Sequence, residues 1–314
     1  MNADVNIPAA RPRKAKAVRA PVTVSEVLII GAGFGGLGTA IRLRQQGISE
    51  IVILERANEV GGTWRDNNYP GAACDIPSNL YSYSFAPNPD WSRAYSGSGE
   101  ILGYARHLAD SNGLRQLIRF GRTVTDAAFN ETEGHWVVTT SEGEVFRGRS
   151  LVMASGGLAN PSLPKIPGID SFEGKRIHSA RWDHSYDLKG KRVAVIGTGA
   201  SAIQIIPELV KVAEKVTVFQ RTPGWVLPRM HYRSPEWSKT LFRAVPATQN
   251  LLRKALFWGH ESMAFSFIWS TPMTNLVERI SAAFLKHQVS DPWLRRQLTP
   301  DFRIGCKRVL MSSE

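Results

Sequence analysis

Val27-Leu28-Ile29-Ile30-Gly31-Ala32-Gly33-Phe34-Gly35-Gly36 is the stretch on which the reading of this chain turns. A short apolar run ends at Gly31, and the glycines let the backbone turn tightly and approach a pyrophosphate. Thr39-Ala40-Ile41-Arg42-Leu43-Arg44 continues as a helix, whose N-terminal amides can bind phosphate. A second apolar run, Ile51-Val52-Ile53-Leu54, ends in Glu55, at about the 20-residue spacing expected of the acid that hydrogen-bonds a ribose 2′-hydroxyl. With Gly31, Gly33, Gly36 and Glu55 in register, the stretch predicts a βαβ unit for an unphosphorylated adenosine ribose, as in FAD or NAD.

The same grammar recurs further along. Val193-Ala194-Val195-Ile196 runs into Gly197-Thr198-Gly199-Ala200-Ser201-Ala202, with alanine as the third small residue, and Ala202 to Leu209 reads as a helix. The next strand, Val216-Thr217-Val218-Phe219, ends in Gln220-Arg221-Thr222 and not in an acid. Arginine there suits a 2′-phosphate through its charge and paired donors, so this second site reads as NADPH better than NADH. Two dinucleotides held by one chain imply electron transfer between them. The fold class expected is α/β, with two Rossmann-like dinucleotide-binding domains, for FAD and NADP, and a helical insertion.

Between the two turns lies Phe172-Glu173-Gly174-Lys175-Arg176-Ile177-His178-Ser179-Ala180-Arg181-Trp182-Asp183. It fits F-x-G-x-x-x-H-x-x-x-W-(P/D) at every fixed position. A second pattern, (A/G)-G-x-W-x-x-x-x-(F/Y)-P-(G/M)-x-x-x-D, runs from Gly61-Gly62-Thr63-Trp64 through Tyr69-Pro70-Gly71 to Asp75. On these two patterns the chain, from about residue 24 to its end, resembles a type I, flavin-dependent Baeyer–Villiger monooxygenase. Flavin monooxygenases that oxidise amines and sulfides resemble it next, usually with a different aromatic at the position of Trp182.

The resemblance implies a chemistry. NADPH would reduce FAD, the reduced flavin would take up O₂ as a C4a-peroxyflavin, and that peroxide would attack a ketone and yield an ester or lactone. The protein would orient the partners, exclude water and stabilise negative charge. Arg308, in Gly305-Cys306-Lys307-Arg308, stands where the family places its active-site arginine, and Asp75 where it places the carboxylate that aims that arginine. Lys307 would contact the nicotinamide cofactor, and Gly62, Thr63 and Trp64 would lie at the flavin. His178 has no acid–base task in this scheme. With Phe172, Gly174, Trp182 and Asp183 it is read as a hinge after the proline-rich stretch Asn160 to Gly168.

Composition narrows the other classes. At 314 residues and 43% apolar content the chain is long enough for two cores. Part of the formal charge of +12 sits in Arg11, Arg13, Lys14, Lys16 and Arg19, a stretch with the composition of a disordered basic tail. No repeat, zinc spacing or aromatic ladder points to nucleic acid or a metal. No apolar run approaches the roughly 20 residues of a membrane span. Cys74 and Cys306 make no C-x-x-C pair, which removes the chemistry of the disulfide reductases that also use FAD and NADPH, and a cytoplasmic location is the default.

The expected order is a tail over 1–23, an FAD-binding domain over 24–160, a linker carrying the fingerprint over 161–189, an NADP-binding domain over 190–235 and 301–314, and a helical insertion over 236–300. Within the first domain, His135 to Thr140 and Glu144 to Arg147 read as a small antiparallel meander and Ser150 to Ala154 as a separate buried strand. Members of the resembled family run well beyond their arginine strand, whereas this chain stops at Glu314. Both domains are therefore expected to lack a C-terminal part, with apolar surface left exposed and flavin retention weakened. Two alternatives stay open here: an N- or S-oxygenating flavin monooxygenase, and an inactive truncated remnant that binds nucleotide only.

Overall fold

The structure is a computed structural model and describes residues 24–158, 160–269 and 271–312; the basic stretch 1–23 lies outside the described residues. It opens with β1 (Val24–Ile30), α1 (Phe34–Gln45) and β2 (Ile51–Leu54), followed by a one-turn helix α2 (Thr63–Asp66) and α3 (Ser98–Ser111). Then come β3 (Ile118–Arg119), β4 (Val124–Asn130), β5 (His135–Thr140) and β6 (Val145–Met153). These strands form one six-stranded sheet in the order β3-β2-β1-β6-β5-β4. The pairs β1–β2, β1–β6 and β2–β3 are parallel, whereas β4, β5 and β6 form an antiparallel meander.

β1 lies at the centre and is buried on both faces, as the core strand of a largely parallel sheet must be. Val27 and Ile29 pack with Leu37 and Ile41 of α1 and Ile101, Ala105 and Leu108 of α3, while Leu28 and Ile30 pack with Leu54 and Val138 on the meander side. Burying each of the larger side chains contributes about 1.5–3 kcal/mol.

The meander differs from the sequence expectation. The two pieces read apart, Glu144 to Arg147 and Ser150 to Ala154, are joined in β6, whose first half pairs with β5 and whose second half pairs with β1. Gly148 makes the junction possible. A Cβ there would sit 2.6 Å from Leu28 Cγ, so only a residue without a side chain lets β6 cross β1 this closely.

The second unit comprises β7 (Arg192–Ile196), α4 (Ala202–Val210) and β8 (Lys215–Phe219), with β7 and β8 parallel in a two-stranded sheet. β9 (Val226–Pro228) follows, then four helices: α5 (Glu236–Ala244), α6 (Pro246–Trp269), α7 (Pro272–Gln288) and α8 (Pro292–Leu298). β10 (Leu310–Ser312) returns to pair in parallel with β9 as a separate two-stranded sheet.

The helices do more than flank the second unit. Gln249 of α6, only 3% exposed, donates to Asn79 Oδ1 at 2.8 Å and to the carbonyl of Asn88 at 2.7 Å. Arg253, one turn on, donates to the carbonyls of Asn79 and Leu80 at 3.1 and 2.8 Å. The helical segment is thereby docked on a loop of the first unit. Among the described residues no helix is long and apolar enough to cross a membrane, and no group of three or more His, Cys, Asp or Glu side chains could hold a metal.

Candidate active site

The first glycine turn is a preformed cradle. Gly33 caps α1 without a side-chain hydrogen bond, and no acid lies in the first turn of that helix, which leaves its positive end suited to an anion. Gly62 faces Gly33 across the turn: a Cβ on Gly62 would lie 3.1 Å from Gly33 Cα. The backbone is therefore bare on both sides. Glu55 is 4% exposed at the end of β2. Its Oε2 accepts from Ala32 N–H at 2.8 Å, and its Oε1 accepts from Ala57 N–H at 2.9 Å and Arg65 Nη1 at 3.0 Å. A carboxylate has about four lone-pair sites, so three donors fix its direction and leave room for a hydroxyl.

The tryptophan pattern lines the same side. Thr63 begins α2, and Trp64 donates from Nε1 to Tyr81 Oη at 3.0 Å, with the two rings edge to face at 5.4 Å. Burial pushes the Tyr81 and Tyr69 phenols up. Burial also pushes the Cys74 thiol up, to about 12, so that it stays protonated.

Asp75 ends this segment, and Arg308 Nη2 donates to its Oδ2 across 233 residues of sequence. Three elements seat the loop that carries Arg308. Glu278 of α7 accepts from the N–H of buried Ile304 at 3.0 Å, Trp225 donates from its indole to the carbonyl of Phe302 at 2.8 Å, and Phe267 of α6 packs against Gly305. Gly305 has φ +95°, which a side chain would strain. Lys307 is placed over the ring of Phe302, with Nζ 4.4 Å from its centroid. The Arg308 side chain remains 62% exposed while its partner Asp75 is 21% exposed.

At the second turn, Gly197 has φ +106° and neither it nor Gly199 would bring a Cβ within 4 Å of any heavy atom. Ser201 caps α4 without a side-chain bond, again with no acid in the first turn. Thr198 Oγ1 donates to the carbonyl of Thr222 at 3.4 Å and ties the ends of β7 and β8, and Arg221 is exposed beside it. The positive end of α4 and the exposed Arg221 thus lie at one turn, an arrangement suited to an anion.

The fingerprint residues do not gather at one point. Phe172 is 59% exposed and packs over Gly174, where a Cβ would lie 2.5 Å from its ring. His178 closes a local turn, its carbonyl accepting from Arg181 N–H at 2.8 Å. Asp183 pairs with Lys175 Nζ at 2.6 Å, and that bond, together with those from Ser185, holds its carboxyl down at about 2. Trp182 alone reaches the interior, against a cluster of Tyr69, Ala72, Ile205 and Leu209 that joins the two units.

The residue that sequence reasoning missed is Gln204. Its side chain in α4 makes hydrogen bonds to Tyr69 and Ala73 of the Asp75 segment. A polar residue in the first turn of a mostly apolar helix, next to buried Ile205, was the available signal.

The sequence model of the flavin-binding monooxygenase-like family matches residues 24–260. The chain belongs to this family. Among family relatives, it is 50% identical over 288 residues to a Baeyer–Villiger monooxygenase of Streptomyces coelicolor, covering 91% of this chain and 55% of the relative. To a Baeyer–Villiger monooxygenase of Pseudomonas aeruginosa it is 42% identical over 287 residues, covering 91% and 54%. Its fold is similar to that of oxidised steroid monooxygenase bound to NADP, at 34% identity and TM-score 0.81, covering 93% of this chain and 63% of that one. It is also similar to ε-caprolactone-bound cyclohexanone monooxygenase, at 29% identity and TM-score 0.80, covering 92% and 64%. The chain thus spans about half the length of the curated family relatives it matches.

Proposed function

We propose that this chain carries the FAD- and NADPH-binding machinery of a Baeyer–Villiger monooxygenase that converts a ketone and O₂ to an ester or lactone. The observation that carries the reading is the Arg308–Asp75 pair, assembled from residues 233 positions apart. When bound, flavin reduced by NADPH would supply activation of O₂ and insertion of one oxygen atom next to the ketone carbonyl, the other oxygen atom leaving as water.

The remaining roles fall to the protein. Gly31, Gly33, Gly36 and Gly62 let backbone approach the FAD pyrophosphate, and Glu55 accepts the ribose hydroxyl. Thr63 and Trp64 flank the same cofactor from α2. Gly197, Thr198, Gly199 and Ser201 hold the NADPH pyrophosphate at the start of α4, and Arg221 with Thr222 meets the 2′-phosphate. Arg308 presents a permanent positive charge toward the oxygen that becomes anionic, and Asp75 removes its rotational freedom while keeping it charged. Lys307 lies beside it and contacts the nicotinamide cofactor once displaced from Phe302. Phe172, Gly174, His178, Trp182 and Asp183 act in the hinge between the two units. The proposed compartment is the cytoplasm, in keeping with two unpaired cysteines, Cys74 and Cys306.

The test is a visible spectrum of the protein with FAD, anaerobic addition of NADPH, then air and a ketone panel with products identified by mass spectrometry. The expected result is flavin bleaching by NADPH and ester formation. Arg308→Ala should lose ester formation by about a hundredfold or more. Sulfoxide or hydroxylamine products without ester would select the heteroatom-oxygenating reading, and failure to bind flavin would reduce the chain to nucleotide binding.

A further inference from the structure

The side chain of Gln204 lies in the first turn of α4, three residues beyond Ser201 at the helix cap. Its Oε1 accepts from Tyr69 Oη at 3.0 Å and from Ala73 N–H at 3.2 Å, and its Nε2 donates to the Ala73 carbonyl at 3.0 Å. Both polar groups of Ala73 are thereby bound by one side-chain amide, in the manner of a neighbouring strand. The helix backbone approaches the same segment directly. Gly71 has φ +78°, and a Cβ there would overlap the carbonyl oxygen of Gln204. On its other side the segment is pinned by Cys74 N–H donating to the Ser96 carbonyl at 3.0 Å. Only Cys74 separates Ala73 from Asp75, so a displacement of α4 passes to Asp75 through a stretch of backbone too short and too well bonded to absorb it.

We infer that Gln204 is a positioning residue that couples occupancy of the second glycine turn to the aim of the Asp75–Arg308 pair. The inference rests on the reading that the Gly197 turn holds NADPH. Phosphates bound at the cap of α4 fix the axial position of that helix, and Gln204, one turn inward, carries that position to Ala73. The nearby apolar contacts of Ile205 and Leu209 with Tyr69 and Ala72 hold the two units together but specify no register along the seam. The amide does, because its three bonds have defined directions.

Hydrogen–deuterium exchange of segments 69–76 and 197–204, with and without NADP⁺, separates coupling from simple support. In the wild-type chain NADP⁺ should slow exchange in both segments. In Gln204→Ala, NADP⁺ should still protect 197–204, while 69–76 exchanges about tenfold faster and no longer responds to the nucleotide. Gln204→Glu keeps the acceptor for Tyr69 and Ala73 and loses the donated bond, so part of the response should return. If NADP⁺ protects 69–76 equally in Gln204→Ala and wild type, Gln204 only supports the loop and the inference is overturned. If NADP⁺ leaves 197–204 of the wild type unprotected, the nucleotide assignment fails and the inference fails with it.

Discussion

A Cβ added at Gly31 would lie 2.5 Å from the carbonyl oxygen of Ala154, and one at Gly36 would overlap that of Gly31, whereas at Gly197 or Gly199 it would meet nothing within 4 Å. The two turns share a sequence signature but answer to different constraints. At the first, β1 ends in four buried residues between two cores, and the glycines are needed for the chain to pack on itself. At the second, β7 and β8 leave Ile196 59% and Phe219 56% exposed in a two-stranded sheet, and the space around the glycines is open. Packing alone requires glycine at Gly31 and Gly36 of the first turn, whereas no packing contact requires it at Gly199.

Substitution of one glycine in each turn, Gly36 in the enclosed turn and Gly199 in the open one, gives the largest contrast. Gly36→Ala should cost about 3 kcal/mol or more, or prevent folding, because backbone must move to admit the methyl group. Gly199→Ala should stay within about 0.5 kcal/mol of wild type in urea unfolding yet weaken NADP⁺ binding about tenfold or more. Equal destabilisation by the two substitutions would erase the distinction.

The cysteines report the same difference without mutation. Cys74, buried in the first unit with its thiol pushed up to about 12, should resist alkylation in the native protein. Exposed Cys306, beside Arg308, should be labelled about a hundredfold faster, as mass spectrometry of timed iodoacetamide reactions would show. Equal labelling would mean that the first core opens as readily as the second region.

The smallest effect concerns the segment joining the units. Bonds from Lys175 and Ser185 depress the Asp183 carboxyl to about 2, so the folded form is favoured above the unfolded pKa of 3.8. That contribution is lost as pH falls through about 2. An NMR titration should therefore place the Asp183 midpoint near 2, and Lys175→Ala should raise it. A midpoint at the ordinary carboxylate value would show that the fingerprint is not held by this pair.

Much of the secondary structure was legible because it is local. Val216 to Phe219 and Ala202 to Leu209 sit within β8 and α4, and the first helix runs from Phe34 rather than Thr39 because the glycines themselves take helical conformation. α3 was missed although its buried Ile101, Tyr104, Ala105, Leu108 and Ala109 follow helical periodicity. β6 was cut in two at Gly148 because a glycine inside a strand pattern reads as a break until the close approach of Leu28 is known.

By itself the sequence determined two strand–turn–helix–strand units, their glycine turns and the contrast between Glu55 and Arg221, since each is written within a few tens of residues. Only the tertiary structure decided which turn is enclosed, how the helices seat the Arg308 loop, and that Gln204 grips the Asp75 segment. The contacts of Gln204 and Arg308 with the segment from Tyr69 to Asp75 join residues 131 to 233 positions apart, and no local pattern can encode a distance that depends on how every intervening element packs.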